Sequence, residues 1–285
     1  MENEELHAAF LSAGVGRLAP VLDRLARPSI RLLAAPAQES LLPVGASKLG
    51  GLPDLPAGVA WPEWAGLPQS FVGQVRLADL RSALQGALAG ALPEQGMLWF
   101  FYDARQETYG ADPADQGGWR VLFLEAEPSA LQRRPAPETL PVESRFHACA
   151  LSYRVELTFS QQPDLEIPGL AWSEADQERY EALLARLAPV GSAPPRHRLL
   201  GFPDTLQDDM RLQCQLVSQG VTRVDDPRIE ELTAGALDWR LLLQIDSDAQ
   251  VGTRWASDGT LYYWLRQADL YAHRFERSWL VLQSE

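Results

Sequence analysis

The sequence predicts an α+β fold, internally duplicated, with two related β-rich halves and flanking helices packed as one compact body. Three observations predict it. A Gly-x-Pro-Asp turn is written twice, at Gly51-Leu-Pro53-Asp54 and at Gly201-Phe-Pro203-Asp204. Three marks follow each turn in the same order. They are a glutamine in an apolar run (Gln74, Gln244), a glycine before an aromatic run (Gly96, Gly259), and a tryptophan in a last apolar run (Trp119, Trp279). The paired marks lie 150, 170, 163 and 160 positions apart, as expected if loops changed length while strands stayed. The third observation is that strand signals come in blocks and not in strict alternation with helices, which favours α+β. The halves run over about residues 3–160 and 165–285 of a single domain covering 1–285.

Each element follows from its residues. Residues 3–26, "NEELHAAFLSAGVGRLAPVLDRLA", are apolar at helical spacing, with Gly14, Gly16 and Pro20 placed to break or kink the helix. In Gly-x-Pro-Asp, glycine permits positive φ, proline fixes φ, and aspartate closes a turn with its own side chain. "SFVGQV" and "RLLLQI" are short apolar runs read as buried strands, so Gln74 and Gln244 must find hydrogen-bond partners there. "GMLWFFY" and "GTLYYWL" are aromatic strands behind a glycine. Residues 104–118 and 126–141, rich in Gly, Pro and charge, read as surface loops. Residues 173–187 read as a helix capped by Ser173, with Asp176 completing a box-like pattern and Tyr180, Leu183, Leu184 and Leu187 on one face. Gln244 follows Gly201 by 43 positions, where Gln74 follows Gly51 by 23. Two helices are expected in that longer stretch, in "DDMRLQCQLVSQG" and, with Pro227 in its first turn, in "DPRIEELTAGAL".

Composition narrows the function. A chain of 285 residues can bury roughly three quarters of its extended surface and needs no disulfide or structural metal to fold. Cys149 and Cys214 are too few for a disulfide framework or a four-cysteine zinc site, and both sit among apolar residues. The start "MENEELHAAF" lacks the basic flank of a secretory signal, and no apolar run approaches ~18 residues. A cytoplasmic location away from membranes is therefore expected. The net charge of −13 disfavours nucleic acid and favours fast encounter with a basic protein. Of 25 basic residues, 24 are arginine; the one lysine is Lys48, just before the first turn. A compact ammonium at that place is distinct from a planar guanidinium.

Catalytic patterns are sparse. His7, His147, His197 and His273 form no triad motif, and no serine sits in a Gly-x-Ser-x-Gly elbow. His147 and Cys149, two apart, would share one face of a strand. Neither a P-loop nor a Gly-x-Gly-x-x-Gly cradle is present, so no cofactor is expected. "QIDSDAQ" has Asp-x-Asp spacing that a hard cation could use, without the rest of a calcium loop, so no metal is expected. Trp61 and Trp64 lie in a proline-bounded loop, where aromatics serve as a lid on the core or as a contact surface.

The stretches "KLGGLPDLPAGVAWP", "FVGQV", "GMLWFFYD", "HRLLGFPDTLQDDM", "WRLLLQIDSD" and "GTLYYWLRQADL", taken in this order from residue 48 to about 270, resemble the YwqG-like family of bacterial domains of unknown function. The resemblance implies an α+β fold with internal duplication and supplies no activity. The chain departs from it at Trp255-Ala-Ser-Asp258-Gly259, where relatives carry a Trp-Gly-Asp-x-Gly-like segment.

These readings converge on a non-catalytic binding protein. Its protein or small-molecule ligand is expected on the face between the two turns, at Lys48, Asp54, Trp61, Trp64, Arg198, Asp204, Asp246, Trp255 and Asp258. An immunity-type antagonist of a basic partner is one concrete version. The alternative is a metal-assisted hydrolase using Asp204, Asp208, Asp246 and Asp258. Lys48 and Arg198 are expected to close their turns as exposed pairs with Asp54 and Asp204, a weak kind of contact.

Overall fold

Continuous apolar and aromatic runs recur along the chain, and strands buried on both faces need cover on both sides. In the computed structural model, residues 3–188 and 193–284 are described. The strands are β1 (Ala26–Pro36), β2 (Lys48–Leu49), β3 (Asp54–Pro56), β4 (Glu63–Trp64), β5 (Leu67–Pro68), β6 (Ser70–Arg76), β7 (Met97–Tyr102), β8 (Trp119–Leu124), β9 (Leu131–Arg133), β10 (Cys149–Phe159), β11 (His197–Leu199), β12 (Trp239–Asp246), β13 (Thr260–Arg266) and β14 (Trp279–Gln283). The α-helices are α1 (Asn3–Ser12), α2 (Leu22–Leu25), α3 (Pro163–Glu166), α4 (Glu174–Leu187), α5 (Arg211–Val217), α6 (Ile229–Thr233) and α7 (Gln267–Tyr271). The fold is α+β, as the blocks of strand signals imply.

Ten strands form one antiparallel sheet in the order β14-β13-β12-β11-β1-β10-β2-β6-β7-β8. The long β1–β10 ribbon, in register from Ala26↔Phe159 to Pro36↔Cys149, is its middle. β11 continues the sheet from β1, and β2 continues it from β10. The sheet curls until its far ends meet, giving a near-barrel. Trp119 of β8 packs edge-on against Trp279 of β14 at 5.0 Å, and its Nε1 donates to the Ser278 carbonyl at 2.8 Å. Phe100 of β7 meets Tyr263 of β13 in the same edge-on manner at 5.4 Å. The enclosed core holds Leu98, Phe100, Tyr102, Leu243, Leu261, Tyr263 and Leu280, all buried.

Two satellite clusters cover what the near-barrel leaves outside. α1, α2 and α4, with the 3-10 turn between the first two, pack Phe10, Leu18, Leu25, Tyr180 and Leu183 together beside the end of β10. α4 carries the full capping box, with Ser173 Oγ accepting from Asp176 N and the Asp176 carboxylate accepting from Ser173 N. The stretch 3–26 does not run as one helix. It breaks at Gly14 (φ +78°) and continues as a 3-10 turn, Gly16–Val21, before α2. The second cluster packs Leu55 and Leu131 of the β3–β9 ribbon onto Phe71, Trp99 and Phe101. Residues 126–141 are thus not loop alone: β9 lies within them, with Leu131 buried. His147 lies outside β10 and is exposed, while Cys149 is its first residue and is buried, so the two do not share a strand face. α6 begins two residues after Pro227, and a 3-10 turn over Ala234–Asp238 finishes that segment.

Candidate binding site

The two Gly-x-Pro-Asp turns leave the sheet at the inner strands β2 and β11, one on each side of the β1–β10 ribbon. Each turn needs left-handed backbone at two successive positions. Gly50 and Gly51 have φ of +60° and +71°, and Leu200 and Gly201 have +61° and +78°. A side chain at Gly201 would sit 2.5 Å from Thr158 Oγ1 and 2.6 Å from Ser29 Cβ, so this turn is pressed against the central ribbon.

Around the first turn, Gln74 is fully buried. Its Oε1 accepts from Asp54 N at 2.9 Å, and its Nε2 donates to Ala46 O and Asp54 Oδ2, both at 2.8 Å. Around the second, Gln244 Oε1 accepts from Asp204 N at 2.9 Å, and its Nε2 donates to Arg196 O at 2.9 Å and Asp204 Oδ2 at 3.2 Å. Both strands bearing these glutamines shift register two residues earlier, between Phe71 and Gly73 and between Leu241 and Leu243.

The two aspartates differ in their surroundings. Asp54 is wholly buried, as is Lys48 beside it. Lys48 Nζ lies 3.2 Å from Asp54 Oδ2 and 2.7 Å from Glu39 Oε1. These are buried ion pairs, not the exposed ones expected. Arg133 of β9 closes the first turn, its Nε donating to Asp54 Oδ1 at 2.9 Å and its Nη1 to the Glu39 carbonyl at 2.5 Å. Burial pushes the Asp54 carboxyl up, but the Arg133 hydrogen bond and then the Lys48 charge outweigh it and hold the group below its ordinary value.

Asp204 is one-fifth exposed. It pairs with Arg198 through Oδ2 and with Arg196 through Oδ1 at 3.0 Å. Beside it opens a cavity of about 230 Å³. Arg31, Arg196 and Arg198 contribute to its lining together with Glu156 and Asp204, and Leu157, Phe159, Leu184 and Leu187 supply apolar walls from β10 and α4. Arg31 of the central strand is almost fully buried, held by the Pro195 carbonyl at 2.8 Å and 3.9 Å from Glu156. Its Nε and Nη1, and the Nε of Arg196 and of Arg198, have no hydrogen-bond partner among the described residues. Burial lowers the Arg31 pKa, which the nearby Glu156 carboxylate offsets only in part.

The other predicted residues fall elsewhere. Asp246 turns inward to Arg196 N (2.6 Å) and Thr260 Oγ1 (3.0 Å). Asp248 accepts from buried His197 Nε2 at 3.0 Å, since His197 Nδ1 already accepts from Asp246 N. The Asp-x-Asp pair therefore faces protein donors. Asp208 and Asp258 are exposed, while Asp204 and Asp246 both accept from Gln244 Nε2, each at 3.2 Å. Among the described residues, no group of three or more His, Cys, Asp or Glu side chains is placed to hold a metal ion. Trp255 is buried against Tyr102 and Phe146. Trp61 donates to the Gln69 carbonyl, packs on Phe101 and lines a separate cavity of about 390 Å³ with Phe71, Phe146 and Leu140. Trp64 sits on the β4–β5 hairpin. Arg31, Glu39, Arg133, Glu156 and Arg196 were not singled out from sequence. Arg31 had a signal, as a lone charge inside the apolar run "SIRLLAA".

A curled antiparallel sheet with charged turns at its inner strands defines the molecule, and the family follows from the chain itself. The chain belongs to the family described as Domain of unknown function (DUF1963), whose model matches residues 47–284. No curated protein matches the chain. Among the described residues, no helix is long and apolar enough to cross a membrane.

Proposed function

We propose that this is a non-catalytic binding protein that takes the anionic group of a ligand into the cavity beside Asp204. One contrast carries the reading. The first turn's carboxylate is wholly buried and met by Lys48, Gln74 and Arg133, so the cavity along Gly51 and Leu52 is reached by Glu39 but not by Asp54. The second is open, and its cavity is lined by three guanidinium groups against two carboxylates. Guanidinium groups bind oxyanions through charge-assisted bonds, which are stronger than neutral ones. Acetate and phosphate, compared with chloride at matched ionic strength, are expected to raise the melting temperature by mass action. Arg31→Met is expected to remove that increment. An equal response in the wild type and the variant would sink the reading.

The chain is read as an internal duplication on the same observations. The matched glutamine bonds, the matched register shifts and the paired left-handed turns support it. So do Phe100 against Tyr263 and Trp119 against Trp279, which are the contacts a local two-fold brings to its axis. The quoted stretches support a place among YwqG-like members of the family. The buried free cysteines Cys149 and Cys214 suit a reducing cytoplasm. The net charge of −13 favours a second reading, an acidic body that meets a basic protein as an immunity-type antagonist does. Its mark is association that slows roughly tenfold or more as salt rises to physiological strength.

A further inference from the structure

We infer that the ligand group is the carboxylate of a small amphipathic monoacid, an inference that rests on the anion-binding reading above. Four features narrow the chemistry. The lining carries three guanidinium groups and two carboxylates, Glu156 and Asp204, a surplus of one positive charge. A single negative charge neutralises it; a second, as on a phosphate dianion, meets those two carboxylates. Arg31 and Arg198 are directly paired across β1 and β11, so two planar forks stand side by side on neighbouring strands. Such forks match the flat carboxylate, which accepts two parallel hydrogen bonds. Apolar residues form another part of the wall, Leu157 and Phe159 of β10 and Leu184 and Leu187 of α4. A ligand that is only an anion leaves that wall wet. One that carries a short apolar or aromatic body covers it. At about 230 Å³ the cavity is smaller than the ~300–1,000 Å³ of sites for drug-sized molecules, so the inserted group is small.

The same chemistry has two sources, a free acid or the C-terminal carboxylate of a peptide ending in an apolar residue. Calorimetry on the full chain separates them. The probes are 3-phenylpropanoate, its neutral amide, acetate, inorganic phosphate, and the tetrapeptide Gly-Gly-Ala-Phe with a free or an amidated terminus. 3-Phenylpropanoate is expected to bind at least tenfold tighter than the amide, acetate or phosphate. Gln161→Glu, on an exposed lining residue where folding is not at stake, is expected to weaken it several-fold by adding negative charge to the lining. The peptide with a free terminus binding tighter than the free acid assigns the site to a chain end; the reverse assigns it to a metabolite-like acid. Phosphate or acetate binding as tightly as 3-phenylpropanoate overturns the monoacid assignment and leaves the anion reading standing. No binding by any of these anions, together with no shift in melting temperature, overturns both.

Discussion

Lys48 is wholly buried between Glu39 and Asp54, in a chain whose other 24 basic residues are arginine. A compact ammonium fits between two carboxylates where a planar fork would need more room. Breaking a buried pair leaves the partner charge uncompensated, so Lys48→Met is expected to cost ~3–5 kcal/mol in urea unfolding. A loss under ~1 kcal/mol, as for a surface pair, would show that the burial is relieved in solution. Asp54 adds a pH dependence. Its folded pKa lies below its ordinary 3.8, so the folded state favours the ionised form. That stabilisation is complete above the ordinary value and is lost as pH falls through the folded one. The stability gap between the wild type and Asp54→Asn should be full at neutral pH and shrink below about pH 4. A gap that stays constant on acidification would contradict the depressed pKa. The buried, bonded state of Gln74 and Gln244 was legible in the sequence, because an apolar strand gives a glutamine no other fate. The burial of Lys48 was not. It depends on Glu39 and Arg133, which arrive from segments with no strand or helix signal of their own.

Among the elements, the turns at Gly51 and Gly201 were the easiest to read and β9 the hardest. Gly-x-Pro-Asp states its own backbone requirements, whereas β9 is three residues inside a Pro- and charge-rich stretch. What makes it a strand is pairing with β3, a tertiary effect that no local period announces. The Gly201 turn can be tested against a control. Gly201 has φ of +78° and two neighbours within 2.6 Å of an added Cβ. Gly66 has φ of +81° and open space around it. Gly66→Ala is expected to cost ~1 kcal/mol from backbone strain alone. Gly201→Ala is expected to cost at least ~2 kcal/mol more, because β1 or β10 must move. Equal losses, measured by thermal unfolding, would mean the turn does not press on the central ribbon.

On the scale of the whole molecule, the α+β class and the strand blocks could be read from the apolar and aromatic runs, but the closure of the sheet could not. Nothing in "GWRVLFLE" or "SWLVLQSE" says that the two tryptophans will touch. That contact is the sum of strand twist across ten strands, and twist accumulates only in the assembled sheet. The anion cavity is hidden for the same reason, since its lining joins β1, β10, β11 and α4. Closure itself predicts coupling. Trp119→Ala and Trp279→Ala should each cost ~3–5 kcal/mol. In the double variant the two losses should fall short of their sum by ~0.5–3 kcal/mol, the interaction energy of residues in contact. Full additivity would mean that the sheet ends do not rely on each other.

The family model begins at residue 47, yet the strand at the centre of the sheet is β1, residues 26–36. A protein truncated to the family boundary would lose its middle. β10 and β11 would then present two raw edges towards an empty slot, with rows of unpaired N–H and C=O groups. Such edges recruit any extended chain at hand. The truncated protein is expected to aggregate or to pair with copies of itself, and a synthetic peptide of residues 26–36 is expected to return it to a monomer by filling the slot. If the protein lacking β1 is monomeric and as stable as the full chain, the middle strand is dispensable and the sheet can heal across the gap. Otherwise the boundary of this domain, as an object that folds, lies well upstream of the boundary its family pattern marks.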